Sequence, residues 1–107
     1  MLVLLRQVGE WIMIGEETLV GPSLISADRV RLTIRGRVKG GAQDGVPFEK
    51  RADLAIGEEV KPHPGVSITL KGIYPNGVRL GVIAPKTVSI HRQEVYEAIR
   101  RANEGRA

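Results

Sequence analysis

The stretch of residues 72–99 restricts the possible folds of this chain more than any other part of the sequence. Its Pro75-Asn76-Gly77 segment predicts a tight turn between two antiparallel strands, because proline presets the turn and Asn-Gly tolerates positive φ. The elements predicted after this turn are a strand at 78–82, a corner at 84–86, a second strand at 87–91 and a helix that begins near Arg92. Strands separated by turn signals, with a single short helix, indicate a mainly β protein.

Side chains alternate between the two faces of a strand, so Val88, Ile90 and Arg92 share one face of the last predicted strand. An apolar strip that ends in a guanidinium group is more typical of a binding surface than of a buried core edge. Leu4 and Arg6 repeat this arrangement in the first predicted strand. We expect the two strips to meet and to form one surface.

The remaining segments also indicate strands. Val30, Leu32 and Ile34 alternate with arginines, which predicts a half-buried strand over 29–38. Its basic face is expected to be solvated rather than bound to RNA. The other predicted elements are a hairpin of strands 1–7 and 11–14 with a turn at 8–10, a break at Gly21-Pro22, a glycine-rich tip at 40–45, a less regular strand at 46–56, a loop at 58–65 and a strand at 66–70.

One helix is predicted, at the C-terminus. Val95, Ile99 and Ala102 recur at helical spacing and make one narrow apolar stripe, and Gly105 is a typical stop signal. A helix of about a dozen residues is marginal in isolation. The stripe is therefore expected to pack on the sheet or on a partner.

Two short sequences occur twice in the chain. The IGEE of residues 14–17 recurs at 56–59, an offset of 42, and the VRL of residues 30–32 recurs at 78–80, an offset of 48. The unequal offsets leave two interpretations open, a duplicated unit and a coincidence between similar hairpins. Two units are too few for a solenoid, in which several repeats must stack.

Composition excludes several classes of function. The chain has no cysteine, which excludes disulfides, thiolate metal sites and a cysteine nucleophile, and His63 and His91 are too isolated for a metal centre. The acidic pairs at 16–17 and 58–59 are typical of solvated turns, so neither catalysis nor a cofactor is expected. The net charge of +4 favours an anionic partner. The apolar start at 1–5 is too short for a signal peptide, so a cytoplasmic location without membrane contact is expected.

Two segments of the sequence carry a family resemblance. They are MLVLLRQVGEWIMIGEE at the start and VSITLKGIYPNGVRLGVIAPKTVSIHRQEVYEAI near the end. Their combination of ML-[VI]-L-x-R-x-VGE with APK-x-VS-[VI]-HR-x-E-[VI]-Y is similar to the carbon storage regulator (CsrA/RsmA) family. The resemblance covers residues 1–16 and 65–103 as the core of a single domain over 1–107, and it leaves 17–64 as an insert. Strand-like segments around the glycine-rich tip predict that this insert is a β extension.

The resemblance implies a small antiparallel β unit with a C-terminal α-helix, present as an interlocked homodimer. In such a dimer the first strand of one chain lies beside the last strand of the other, which creates two identical RNA sites. The implied function is post-transcriptional regulation, commonly translational repression, through GGA-containing messenger RNA leaders. The implied partners are mRNA, antagonist small RNAs and a protein antagonist. The residues that match the family's RNA-binding positions are Leu4, Arg6, Ala84, Pro85, Val88, Ile90, His91 and Arg92.

Departures from the family pattern modify these expectations. Leu5 and Gln7 stand where the family usually has polar and basic residues, so a weaker affinity or salt dependence is expected. Aromatic residues make up only 4% of the chain, which argues against a base-stacking platform. The insert at 17–64 allows an alternative function, a protein-interaction module whose partner binds to the insert.

Overall fold

The computed structural model describes residues 1–104 of the chain. Within these residues the elements are β1 (Leu2–Arg6), β2 (Ile12–Ile14), β3 (Thr18–Ile25), β4 (Arg29–Arg37), β5 (Pro47–Ala55), β6 (Glu59–His63), β7 (Val66–Tyr74), β8 (Gly77–Ile83), β9 (Ile90–Arg92) and α1 (Gln93–Glu104). The helix stop predicted at Gly105 lies outside the described residues.

The strands form two antiparallel sheets. The first sheet has the order β1-β8-β7-β6, and the second has the order β5-β4-β3-β2-β9. Aliphatic side chains from both sheets make one buried cluster, which includes Ile12, Leu32, Ile68, Leu70 and Leu80. The mainly β architecture with a C-terminal helix confirms the predicted fold class.

The turn predicted at 75–77 is confirmed, because it joins β7 to β8 as an antiparallel hairpin. The arginines on the basic face of β4 reach solvent, as predicted, and two of them pair with carboxylates of the neighbouring β5, whereas the expectation that this face does not bind RNA stays a prediction. Arg31 Nε lies 2.9 Å from Asp53 Oδ1, and Arg35 Nε lies 2.6 Å from Glu49 Oε1. These guanidinium groups therefore stabilise the pairing of two strands, as exposed cross-strand ion pairs do.

The predicted hairpin between the first two strands is wrong. β1 pairs with β8 in the first sheet, whereas β2 pairs with β3 and β9 in the second. A turn is present, because the Glu10 N–H donates to the Gln7 carbonyl with an N···O distance of 3.0 Å, but it carries the chain from one sheet to the other. β8 is a long and largely apolar strand, and it pairs with β1 so that Leu4 lies opposite the buried Leu80.

Proline is accommodated inside strands where the sequence predicts a break and a loop. Pro22 is buried in β3 next to an irregularity in its pairing with β4, and Pro62 lies in the edge strand β6. Bulges and sheet edges leave an N–H unpaired, so a residue without this donor is tolerated there. The last strand is shorter than predicted because the Val88 N–H donates to the Pro85 carbonyl (3.0 Å) in a turn before β9 begins.

The apolar stripe of α1 does not pack on the sheet. Val95 and Ile99 are 41% and 44% exposed. The helix is instead held at its start, where the Gln93 N–H donates to the Trp11 carbonyl at 3.0 Å. Packing of this stripe on the sheet, one of the two predicted arrangements, is therefore wrong.

The strands β1–β4 recur as β5–β8 with a constant offset of 48 residues. Pairing of β3 with β4 shifts between Pro22 and Leu24, and pairing of β7 with β8 shifts between Leu70 and Gly72. Both the positions and the irregularity thus repeat, which a chance similarity between hairpins would not produce. Individual cross-strand pairs correspond in the same way. Arg6 lies opposite Val78 as Leu54 lies opposite Val30, and Ile12 lies opposite Val20 as Val60 lies opposite Ile68.

We call β1–β4 the first unit and β5–β8 the second unit. The turn after the first strand of each unit repeats as well. Glu10 Oε1 accepts a hydrogen bond from the Gln7 N–H at 2.8 Å, and Glu58 Oε1 accepts one from the Ala55 N–H at 2.7 Å. The IGE that follows Ala55 is therefore the counterpart of the VGE that follows Gln7. The structural relation between the units is the offset of 48, and the IGEE match at an offset of 42 is coincidental.

Residues 17–64, expected to form an insert, are divided between the two units. They supply β3 to β6, and both β3 and β4 lie in the interior of the second sheet. Val20 and Val30 of these strands are fully buried. The predicted β structure is present in this segment, but it belongs to the core instead of extending from it.

Candidate nucleic-acid interface

Edge strands of the two sheets line a common groove. β1 is an edge strand of the first sheet and β9 is an edge strand of the second, so each has a row of backbone N–H and C=O groups without a strand partner among the described residues. A groove of about 340 Å³ lies between them. Its lining includes Met1, Leu2, Ala84, Pro85, Val88 and Ile90. One chain thus supplies both the first and the last strand at this position.

Arg6 ties the first strand to the start of the helix. Its Nη1 and Nη2 atoms lie 2.9 Å and 3.1 Å from the two carboxylate oxygens of Glu94. Its Nε also donates to the Leu5 carbonyl at 2.8 Å, and Nη1 donates to the Trp11 carbonyl at 3.4 Å. The side chain of Arg6 is only 6% exposed. This geometry suits a residue that positions β1 against α1, because most of its hydrogen-bond donors are already used within the protein.

Backbone hydrogen bonds hold β9 in place beside this contact. The Trp11 carbonyl that accepts from Arg6 also accepts from the Gln93 N–H, at the point where β9 continues into α1. The Gly15 N–H donates to the Ser89 carbonyl at 2.8 Å, just before β9 begins. The groove is therefore built from strands that are fixed at several points.

Lys86 lines the groove, and Arg92 lies at the end of β9, which forms one wall of the groove. Arg92 is exposed and lies two residues after Ile90, so the two side chains share one face of β9. The Arg92 guanidinium makes no hydrogen bond within the part of the chain that the structure describes. It can therefore donate in two parallel hydrogen bonds to a phosphate or to the edge of a guanine.

The structure divides the predicted site residues into separate groups. Four of them line the groove: Ala84, Pro85, Val88 and Ile90. Leu4 and Arg6 are only 6% and 5% exposed, so their strip is a buried core edge, and the expectation that it forms an outer surface is wrong. Burial follows from the pairing of β1 with β8, which turns this face of β1 toward the core.

His91 faces away from the groove. Its ring centre lies 6.5 Å from that of Tyr96 on the helix. His91 and Tyr96 line a different depression, of about 600 Å³, together with Glu16 and Glu17. Since neighbouring side chains of a strand point to opposite faces, His91 and Ile90 cannot both enter the same groove.

Sequence reasoning missed five residues that line the groove: Met1, Leu2, Val82, Ile83 and Lys86. Leu2 has the same parity as Leu4, yet it is 45% exposed, because it lies at the open end of the strand. Lys86 stands inside the predicted corner at 84–86, and its charge was the available signal. Combining the corner with its lysine would have added this cation to the candidate site.

The bridge between Arg6 and Glu94 makes stability depend on pH. Hydrogen bonds from Arg6 are the main cause that lowers the pKa of Glu94 below its ordinary value of 4.5. A carboxyl group with a lowered pKa stabilises the fold above its ordinary pKa, and this contribution is lost as the pH falls through the folded value. The melting temperature is therefore expected to fall as the pH drops below 4.5, and to fall less in Glu94→Gln. Thermal melts that show the same pH dependence for both proteins would contradict this role of Glu94.

The model of the CsrA family, described as a global regulator protein family, matches residues 54–101 of the chain. The match begins at the end of β5 and covers β6 to β9 and most of α1. It includes one wall of the groove and Arg92. It also includes residues 54–64, which the sequence resemblance assigns to the insert. A comparison with solved structures gave no match.

The described helix has 12 residues, whereas a helix that crosses a bilayer needs about 20. Within the described part of the chain, no helix is both long and apolar enough to do so.

The CsrA family consists of regulatory RNA-binding proteins and not of enzymes. Over residues 54–101, this chain is similar to the CsrA global regulator protein family.

Proposed function

We propose that this protein binds GGA-containing segments of messenger RNA leaders in the groove between β1 and β9, and thereby regulates translation. The position of Arg92 carries the proposal. This exposed arginine ends the strand that forms one wall of the groove, and it lies within the segment that matches the family. RNA binding is supported by the family, and the choice of this groove is supported by its geometry.

The groove offers three kinds of contact to single-stranded RNA. The unpaired edges of β1 and β9 present N–H and C=O groups that suit the edges of splayed bases. Leu2, Val88 and Ile90 provide aliphatic surface that supports bases without aromatic stacking. Arg92 and Lys86 add charge for phosphates, and a guanidinium group matches the O6 and N7 acceptors of guanine. Adjacent guanines therefore fit this combination of contacts.

The proposed partner is messenger RNA in the cytoplasm. Binding across a ribosome-binding site would repress translation by excluding the ribosome. A small RNA with the same GGA element would compete for the groove, and a protein antagonist would act by covering it.

Two RNA hairpins that differ only in the loop test the proposed function, one with GGA and one with CCA in its place. Fluorescence anisotropy is expected to show at least about tenfold weaker binding to the CCA hairpin, a difference of roughly 1.4 kcal/mol. The reason is that cytosine lacks the paired O6 and N7 acceptors of guanine. Equal affinities would contradict GGA recognition, and no binding to either hairpin would overturn the proposed function.

A further inference from the structure

We propose that each chain carries one RNA site, completed by its own β1 and β9, and that it acts as a monomer. The corresponding site on the opposite face, between β5 and β6, is incomplete. This inference rests on the proposed function and goes beyond it by stating how many sites one chain has. It also differs from the interlocked homodimer implied by the family resemblance. The relation between the two four-strand units supports the inference.

The two units exchange their first strands within a single chain. β1 of the first unit pairs with β8 of the second, and β5 of the second unit pairs with β4 of the first. The two pairings have the same register once the offset of 48 residues is applied. A second chain is therefore not needed to pair β1 or to place it beside β9.

The counterpart of β1 lacks the arginine that ties β1 to the helix. The register places Ala52 at the position of Leu4 and Leu54 at the position of Arg6. Leu54 is buried at 5% exposure and has no hydrogen-bond donor in its side chain. A bridge like that between Arg6 and Glu94 cannot form there, so nothing equivalent holds β5 against a helix start.

The counterpart of β9 is not a strand. An offset of 48 places it at residues 42–44, which form a turn. Asp44 occupies the position that corresponds to Arg92, and its carboxylate accepts a hydrogen bond from the Gly40 N–H at 2.6 Å. A negative charge at this position would repel a phosphate.

An open edge marks the place where a counterpart of β9 would lie. β6 corresponds to β2, but among the described residues its outer edge has no strand where β2 has β9. A cavity of about 580 Å³ adjoins it and defines the opposite face, which includes Phe48, Lys50, Pro62 and His63. This face carries positive charge, and the edge strands β5 and β6 lie beside each other there, but a turn stands where the counterpart of β9 would lie and Asp44 stands in place of Arg92.

The number of sites is tested by the mass of the full-length chain and by its RNA stoichiometry. Light scattering is expected to give the mass of one chain, 11.7 kDa, without RNA. Native mass spectrometry with excess GGA hairpin is expected to show one RNA on one chain. A titration at concentrations far above the Kd should reach its end point at one RNA per chain.

Complexes with other numbers of chains or RNA molecules would distinguish a failure of this inference from a failure of the proposed function. A dimer with bound RNA, or a monomer with two RNAs, would overturn the single self-contained site while leaving GGA binding intact. A monomer that binds no GGA hairpin would overturn the proposed function and the site count together.

Refolding two defective variants together provides an independent test. One variant is Arg92→Ala, and the other is Leu2→Asp, which changes the β1 wall of the groove at a residue that is 45% exposed. If two chains exchanged strands, a mixed dimer would contain one site without either substitution. We expect no recovery of affinity after joint unfolding and refolding, and recovery of wild-type affinity in part of the sample would overturn the inference.

Discussion

Arg92→Ala is expected to weaken binding of a GGA hairpin by about ten- to a hundredfold, the equivalent of roughly 1.5–3 kcal/mol for hydrogen bonds that involve a charged group. The guanidinium is exposed and makes no hydrogen bond within the described residues, so its donors are available to RNA. For the same reason the fold should keep its stability. Anisotropy titrations with the GGA hairpin, paired with thermal melts, measure both quantities.

Lys50→Ala is the matched control for this variant. It also removes one positive charge, but from the opposite face, where Lys50 lies beside the Phe48 ring. Its affinity is expected to stay within about twofold of wild type, whereas Arg92→Ala should also lower the slope of log K against log salt by about one phosphate contact. Equal losses in the two variants would mean that RNA responds to overall charge and not to this groove.

Arg6→Leu is expected to lower the free energy of unfolding by about 1–3 kcal/mol, because two hydrogen bonds to a carboxylate and two to backbone carbonyls are lost. Glu94 is 58% exposed and can be hydrated, which keeps the cost below that of a fully buried pair. Leucine suits the test because Leu54 occupies the corresponding buried position in the second unit. Loosening of the helix start from β1 is also expected to weaken RNA binding by about three- to tenfold.

Glu94→Gln separates positioning from direct contact. The glutamine oxygen still accepts a hydrogen bond from Arg6 but carries no charge, so both losses are expected to be smaller than in Arg6→Leu. Chemical denaturation and anisotropy should therefore rank the proteins in the same order. If Arg6→Leu lost as much affinity as Arg92→Ala without any loss of stability, Arg6 would be a direct RNA contact.

Local features of the fold were predictable from the sequence because their causes are local. The turn at 75–77 depends on the conformations that proline and Asn-Gly favour. The alternation of Val30, Leu32 and Ile34 with arginines decides which face of β4 is buried, whichever strand lies beside it. The same reasoning predicted a strand at 87–91, and the observed β9 covers Ile90–Arg92 because the first predicted residues form a turn.

Strand partners were not predictable in this way. Alternation indicates which face of a strand is buried, but it does not say which distant strand supplies its hydrogen bonds. β1 pairs with β8, and the short turn after Gln7 favoured a hairpin with the nearer β2 instead. The outward assignment of Leu4 and Arg6 failed for the same reason, because burial depends on the partner.

The relation between the two units was present in the sequence but was obscured by a longer match. Four identical residues at an offset of 42 outweighed three identical residues at an offset of 48. The hydrogen bonds of Glu10 and Glu58 identify the correct alignment, in which valine at position 8 corresponds to isoleucine at position 56. A comparison that allowed such conservative replacements would have found the repeat, and with it the missing counterpart of β9.

Chemical-shift mapping tests the location of the single site most directly. Backbone amide spectra of the full-length chain would be recorded with increasing GGA hairpin. The largest shifts are predicted in β1, in the corner at 84–86 and in β9, with saturation at one RNA per chain. The amides of β5 and β6 should change little. Shifts of similar size on both faces, or shifts centred on the opposite face, would contradict the account.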